Sequence, residues 1–110
     1  MINILLTHRN EQFIKLRVYG HAMYGISGSD IVCAAISTLV QSVIIGLEEV
    51  ISRDFKYCID EDKARVSLDI SGYSDENKCK AQILFKAFRY TVDKLLLDYR
   101  QYIDMKVEEE

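Results

Sequence analysis

Cys33 and His21 are the pair best suited to joint chemistry in this chain, a thiol and an imidazole within the stretch GHAMYGISGSDIVCAA, residues 20–35. A free thiol is mostly protonated at neutral pH and is a weak nucleophile, so sulfur catalysis needs an influence that favours the thiolate. The stretch offers two. Ser29 or Asp30 is a natural helix cap, which sets Cys33 in a first turn where unpaired backbone N–H groups and the positive dipole end favour an anion. His21 can serve as base toward the thiol and then as acid toward a leaving amine. The same N–H groups offer a place for the oxyanion of a tetrahedral intermediate. Between the two residues, 22–28 carries Gly25 and Gly28 and can bend tightly, as a substrate clamp would. Asp30 shares a helix face with Cys33, and either orients His21 like the third member of a triad or only caps the helix.

Blander readings of the same residues stand beside these. A cysteine flanked by Ile31, Val32, Ala34 and Ala35 can be a small core side chain, and a histidine at a strand end can be a surface residue. A zinc site built from Cys33, His21 and Asp30 lacks a fourth ligand at any paired spacing. A thiol redox role for Cys33 lacks an obvious resolving cysteine. Cys58 alternates onto the face of Lys56 and Asp60 with no partner base, and Cys79, between Lys78 and Lys80, lacks the histidine and helix-start context. His8 reads as a solvated turn residue.

The elements that must position the pair follow from hydrophobic periodicity. Ile2, Ile4 and Leu6 alternate with Asn3, Leu5 and Thr7; after the polar turn 8–11, Ile14, Leu16 and Val18 alternate with Lys15, Arg17 and Tyr19. This predicts an antiparallel hairpin, with Phe13, Lys15, Arg17 and Tyr19 on the face opposite Ile14, Leu16 and Val18 and with His21 at the strand end. From Ser29 to about Ile51 a stripe of Ile31, Ala34, Ala35, Leu39, Val43, Leu47 and Val50 predicts a helix, and Ile36, Val40, Ile44 and Ile45 make it apolar almost all round. Such a helix must be covered on more than one side, by the second helix or by another copy of the chain.

Phe55, Tyr57 and Ile59, then Ala64, Val66, Leu68 and Ile70, predict a second hairpin around the charged turn 60–63. Ser74 or Asp75 can cap a long final helix whose stripe is Ala81, Leu84, Phe85, Phe88, Val92, Leu95, Leu96, Tyr99 and Ile103. Its acidic end, Val107 to Glu110, should fray against the helix dipole. The expected fold is α+β in the order ββαββα, an antiparallel sheet with two helices packed on it, in a single domain over residues 1–110.

Composition narrows the function classes. The 110 residues are 49% hydrophobic, enough for a core. The charged residues, 28% of the chain, are mixed in sign with a net charge of -3, which disfavours direct nucleic-acid binding and suits a basic partner. With no basic leader, no long uninterrupted apolar run and three cysteines without a C-x-x-C pair, the expectation is a cytoplasmic protein that does not span a membrane.

The stretch resembles the ribosomal-processing cysteine protease family Prp, whose hallmark is a Gly-His pair followed by a glycine and then Asp-Ile-Val-Cys at this spacing. Gly20, His21, Ala22, Gly28, Asp30, Ile31, Val32, Cys33 and Ala34 stand at matching positions. The family pattern has an acidic or aromatic pair before the loop glycine where this chain has Ile26 and Ser27. The resemblance implies a homodimeric endopeptidase that removes a short N-terminal extension from the precursor of large-subunit ribosomal protein twenty-seven. It implies Cys33 as nucleophile and His21 as general base, with Asp30 supporting, and neither metal nor cofactor. Gly20, Ala22, Gly25, Gly28 and Ser29 would then form the substrate loop. A reading from another class is a catalytically silent module that keeps the loop only to clasp a ribosomal protein.

Overall fold

The computed structural model describes residues 1–20 and 29–110, and of Ser29 and Asp30 the backbone alone. The elements are β1 (Ile2–Arg9), β2 (Gln12–Tyr19), α1 (Ser29–Gly46) prolonged by a π-helical turn (Leu47–Ile51), β3 (Lys56–Asp60), β4 (Arg65–Asp69), α2 (Asp75–Tyr99) and β5 (Ile103–Glu109). Both expected hairpins are present and both helices cover one face of the sheet, an α+β fold. Ser74 caps α2, its hydroxyl accepting from the Asn77 amide at 3.1 Å.

The sheet holds one strand more than expected. In the order β3-β4-β2-β1-β5, the last strand pairs with β1 in parallel, so the sheet is mixed rather than wholly antiparallel. The tail expected to fray is therefore a strand. Ile103, Met105 and Val107 alternate with Asp104, Lys106 and Glu108, and pairing along β1 satisfies backbone groups that a helix end would leave open. The Glu110 amide then donates to the His8 carbonyl at 2.9 Å, and its carboxylate accepts from Arg9 at 2.8 Å and meets Lys15 at 3.2 Å.

Asn10 and Glu11, with φ of 51° and 65°, make the two-residue turn between β1 and β2. Beyond it the register shifts: His8 pairs with Phe13 but Thr7 with Lys15, leaving Ile14 as a bulge. The bulge corrects the expected facing, because it turns both Phe13 and Ile14 into the core, at 7% and 2% exposure. Gln82 of α2 secures the interruption. Its Oε1 accepts from the Phe13 amide at 2.7 Å while its Nε2 donates to the Phe13 carbonyl at 2.9 Å.

The buried face of α1 lies a residue away from the stripe expected for it. Val32, Ile36, Val40, Val43, Ile44 and Leu47 are buried against the sheet, whereas Ile31, Ile45 and Val50 are exposed. Periodicity alone could not choose among faces because nearly every face is apolar. By length and composition α1 with its π turn, Ile31–Ile51, is apolar enough to cross a membrane, yet its buried stripe belongs to the same core as Ile4, Leu6 and Phe85. Gly46 permits its approach to α2, since a Cβ there would come within 2.8 Å of a Leu84 methyl. The stripe expected on α2 is seated inward as read, with Phe85 and Val92 wholly buried.

Candidate active site

Cys33 stands close to the head of α1, four residues after Ser29, where its described part opens. The described part of α1 opens at Ser29, where the helix was expected, and the capping role expected of Ser29 or Asp30 lies outside the described residues. A helical side chain leans toward the N-terminal end of its helix, which leans the Cys33 side chain toward the head of α1.

The thiol is half-buried, resting on the core while lining a hollow of about 260 Å³. It is neither sealed in hydrocarbon nor loose in solvent. Val18, Ile36, Val40 and Val66 supply apolar floor; Ser37, Gln41 and Glu61 bring polar groups to the same hollow. Ser37 and Gln41 follow Cys33 at intervals of four along α1, and that spacing was the available signal for residues the motif did not include.

Gly20 lines this hollow too. Its φ of +92° belongs to glycine, its amide donates to the Ala64 carbonyl at 3.1 Å, and a Cβ on it would come within 2.5 Å of the Met1 carbonyl oxygen. The end of β2 is thus fixed at one wall of the hollow, with the β3–β4 turn behind it. His21, Ala22, Gly25 and Gly28 lie outside the described residues, as do the side chains of Ser29 and Asp30. Of the expected site residues, the structure brings Gly20 and Cys33 together.

Cys58 and Cys79 are exposed, on β3 and near the start of α2. Cys58 lines a second hollow of about 500 Å³ on the face of the sheet away from the helices, beside Lys15, Arg17 and Lys56. Two of its acids, Asp69 and Glu110, are already engaged. Burial raises the Asp69 carboxyl, but hydrogen bonds from Ser71 and the charges of Lys15 and Lys56 outweigh it and hold the group below its ordinary value. His8 sits edge-on to Phe13 at 6.1 Å between ring centres, a packing role at the first turn. Among the described residues no group of histidines, cysteines and carboxylates could hold a metal ion.

At the far end of α1, hydrogen bonding toward the Glu48 carboxylate and the charge of that group push the Tyr57 phenol of β3 above its ordinary value. Tyr73 fastens the π turn beside it, its hydroxyl reaching the Ser52 carbonyl at 2.5 Å and the Leu47 carbonyl at 3.3 Å.

A half-buried thiol near the head of a helix thus opens on a cleft in a small α+β fold built on a five-stranded mixed sheet. Residues 1–104 match the sequence profile of the family described as cysteine protease Prp, and the chain belongs to that family. Its fold is that of SMU.848 from Streptococcus mutans, at a TM-score of 0.86 and 29% identity over 100% of this chain and 96% of that one. The S. aureus ribosomal processing protease Prp in complex with a substrate peptide gives a TM-score of 0.84 at 20% identity, over 97% of this chain and 99% of that one. The same protease with a covalently linked product peptide gives 0.80 at 19%, with the same coverage. No curated protein sequence matches the chain.

Proposed function

We propose that this cysteine protease removes the N-terminal extension of the bacterial large-subunit ribosomal protein twenty-seven, with Cys33 as nucleophile and His21 as its base. The observation that carries the reading is that Gly20, the residue before His21 in the sequence, lines one cleft with Cys33. The ribosomal substrate comes from the motif match and from the kinship with a ribosomal processing protease.

In the reaction His21 takes the Cys33 proton as the sulfur attacks the scissile carbonyl carbon. The carbon–nitrogen bond breaks, the amine leaves with the proton from His21, and a thioester remains. Water then attacks the thioester while His21 takes its proton, and the new carboxyl group leaves as the thiol is restored. The open amides at the head of α1 face the oxyanion in both halves, the kind of stabilisation that dominates acyl transfer. Asp30 supports the imidazole. The chemistry needs neither metal nor cofactor.

The working unit in this reading is a single domain, 1–110, in the cytoplasm, and a homodimer. Ile83, Tyr90 and Leu97, all well exposed and seven residues apart, form an outward apolar line on α2, and Ile31 and Ile45 do the same on α1. The net charge of -3 suits the basic tail of a ribosomal protein, and the reading assigns no direct contact with nucleic acid or membrane.

Cleavage of the extended ribosomal protein tests this directly. The wild type should cut it under reducing conditions, and Cys33→Ala should bind it uncut. An intact precursor after incubation with the wild type would favour the silent binding module instead.

A further inference from the structure

The helices cover one face of the sheet, and on the other face residues of all five strands line up in rows. Lys56, Asp69, Lys15, Thr7 and Glu108 form one outer row, and Asp60, Arg65, Tyr19, Asn3 and Asp104 the other. In both, every charge has an opposite charge or a neutral group beside it, the favourable cross-strand arrangement. The middle row differs. Cys58, Ser67, Arg17, Leu5 and Lys106 include two cations and no acid. Lys106 comes within 4.0 Å of Asp104, whereas Arg17 is exposed and has neither ion pair nor hydrogen bond among the described residues.

The hollow of about 500 Å³ lies over the first outer row and the middle row, and its charges are sorted along its length. Lys56 and Arg17 stand on the side of β3, β4 and β2, where the Asp69 carboxylate already accepts from the Ser71 amide at 2.8 Å. Glu108 and Glu110 stand at the β5 end, and Glu110 takes Lys15 at 3.2 Å. Half-buried Leu5 and Thr7, 6% exposed, lie between. A guanidinium, an ammonium and the Ser67 hydroxyl supply donors suited to phosphate oxygens. A phosphomonoester group, close to a dianion, matches two cations where a carboxylate matches one. The volume exceeds what inorganic phosphate fills and falls in the range of small-molecule sites. Three strand spacings, about 14 Å, separate β3 from β1, enough for an organic body beside the phosphate. The acidic end disfavours a second negative charge there.

We propose that this hollow binds a small organic phosphomonoester, its phosphate held by Arg17, Lys56 and Ser67 and its uncharged or cationic body resting on Leu5 and Thr7. The site is separate from the Cys33 cleft and does not depend on the protease reading. Arg17, Ser67 and Cys58 adjoin Val18, Val66 and Ile59 in sequence, and consecutive strand residues face opposite ways, so the two hollows lie back to back across the same three strands.

The test uses the full chain with Cys33→Ala, which leaves Cys58 inside the hollow and Cys79 outside it as the thiols to be labelled. Iodoacetamide labelling of each is followed by peptide mapping with adenosine monophosphate or glycerol phosphate present. At least one of these should slow Cys58 and leave Cys79 at its own rate, and adenosine or glycerol at the same concentration should slow neither. Arg17→Gln should raise the concentration for half-protection by about tenfold to a hundredfold, the net worth of a hydrogen bond to a charged group. Lys86→Gln, which removes an exposed cation of α2, should leave it unchanged. No protection by either phosphomonoester, equal protection by the unphosphorylated compounds, or equal loss in the two charge variants overturns the site. Inorganic phosphate protecting as well as the better phosphomonoester overturns the organic ligand.

Discussion

The amide of Gly20 donates to the carbonyl of Ala64 across 3.1 Å, tying the residue that follows β2 to the turn between β3 and β4. Ala64 itself has a φ of 48°, so the bond joins two backbone positions that each depart from extended geometry. The Met1 carbonyl oxygen packs on the third side of Gly20. This joint sets where the chain leaves the sheet beside the Cys33 cleft.

Gly20→Ala should therefore impair both fold and activity. The φ of +92° is strained for alanine, and the added Cβ meets backbone rather than a yielding side chain. A loss of about 1–3 kcal/mol in denaturant unfolding is expected, together with a lower kcat/KM measured well below the shifted midpoint. Unchanged stability would show that the joint adapts.

Reactivity should run against exposure among the three thiols. Cys58 and Cys79 are exposed while Cys33 is half-buried, so accessibility alone would alkylate Cys33 slowest. The proposed base reverses the order: at neutral pH iodoacetamide should modify Cys33 first, and His21→Ala should slow only that site by at least about tenfold. Peptide mapping of the labelled chain decides between the two orders.

Gln82→Ala should be costly without touching the chemistry. It leaves the Phe13 amide and carbonyl unsatisfied inside the core at the bulge, where each orphaned group costs about 1–3 kcal/mol. Thermal unfolding should show the loss, and the labelling rate of Cys33 in the folded fraction should stay at the wild-type value.

Asp69 predicts a feature of the acid limb. Its folded-state value lies below the ordinary one, so its contribution is complete above about pH 4 and disappears as pH falls through the folded-state value. Wild type should exceed Asp69→Asn in stability near neutrality, and the two unfolding curves should converge as pH falls through the folded-state value. A constant gap across that range would assign the difference to packing.

The apolar line on α2 makes a hydrodynamic prediction. Tyr90 is 60% exposed, so Tyr90→Asp should leave the circular dichroism spectrum intact while converting a sedimenting dimer to a monomer. A wild type that sediments as a monomer at high micromolar concentration would remove the homodimer from the proposal.

The sequence by itself determined what local rules control. Period-two alternation marked β1 to β4, the inward stripe of α2 was legible from Ala81 to Tyr99, and the Gly20-to-Ala34 motif singled out Cys33 before any coordinates. Tertiary structure decided the rest. The alternation of Ile103, Met105 and Val107 was written in the chain, but an amphipathic helix directly precedes it and the same residues continue that stripe; only the open edge of β1 selects the strand. The uniform apolarity of α1 concealed which face is buried, because that choice depends on where the sheet lies. The bulge at Ile14 and its clasp by Gln82 join positions 69 residues apart, and the wall of Gly20, Gln41 and Ile59 around the thiol draws on three separate elements. Periodicity reports a residue's neighbours along one element, and contacts between elements are set only when hydrophobic burial packs them together.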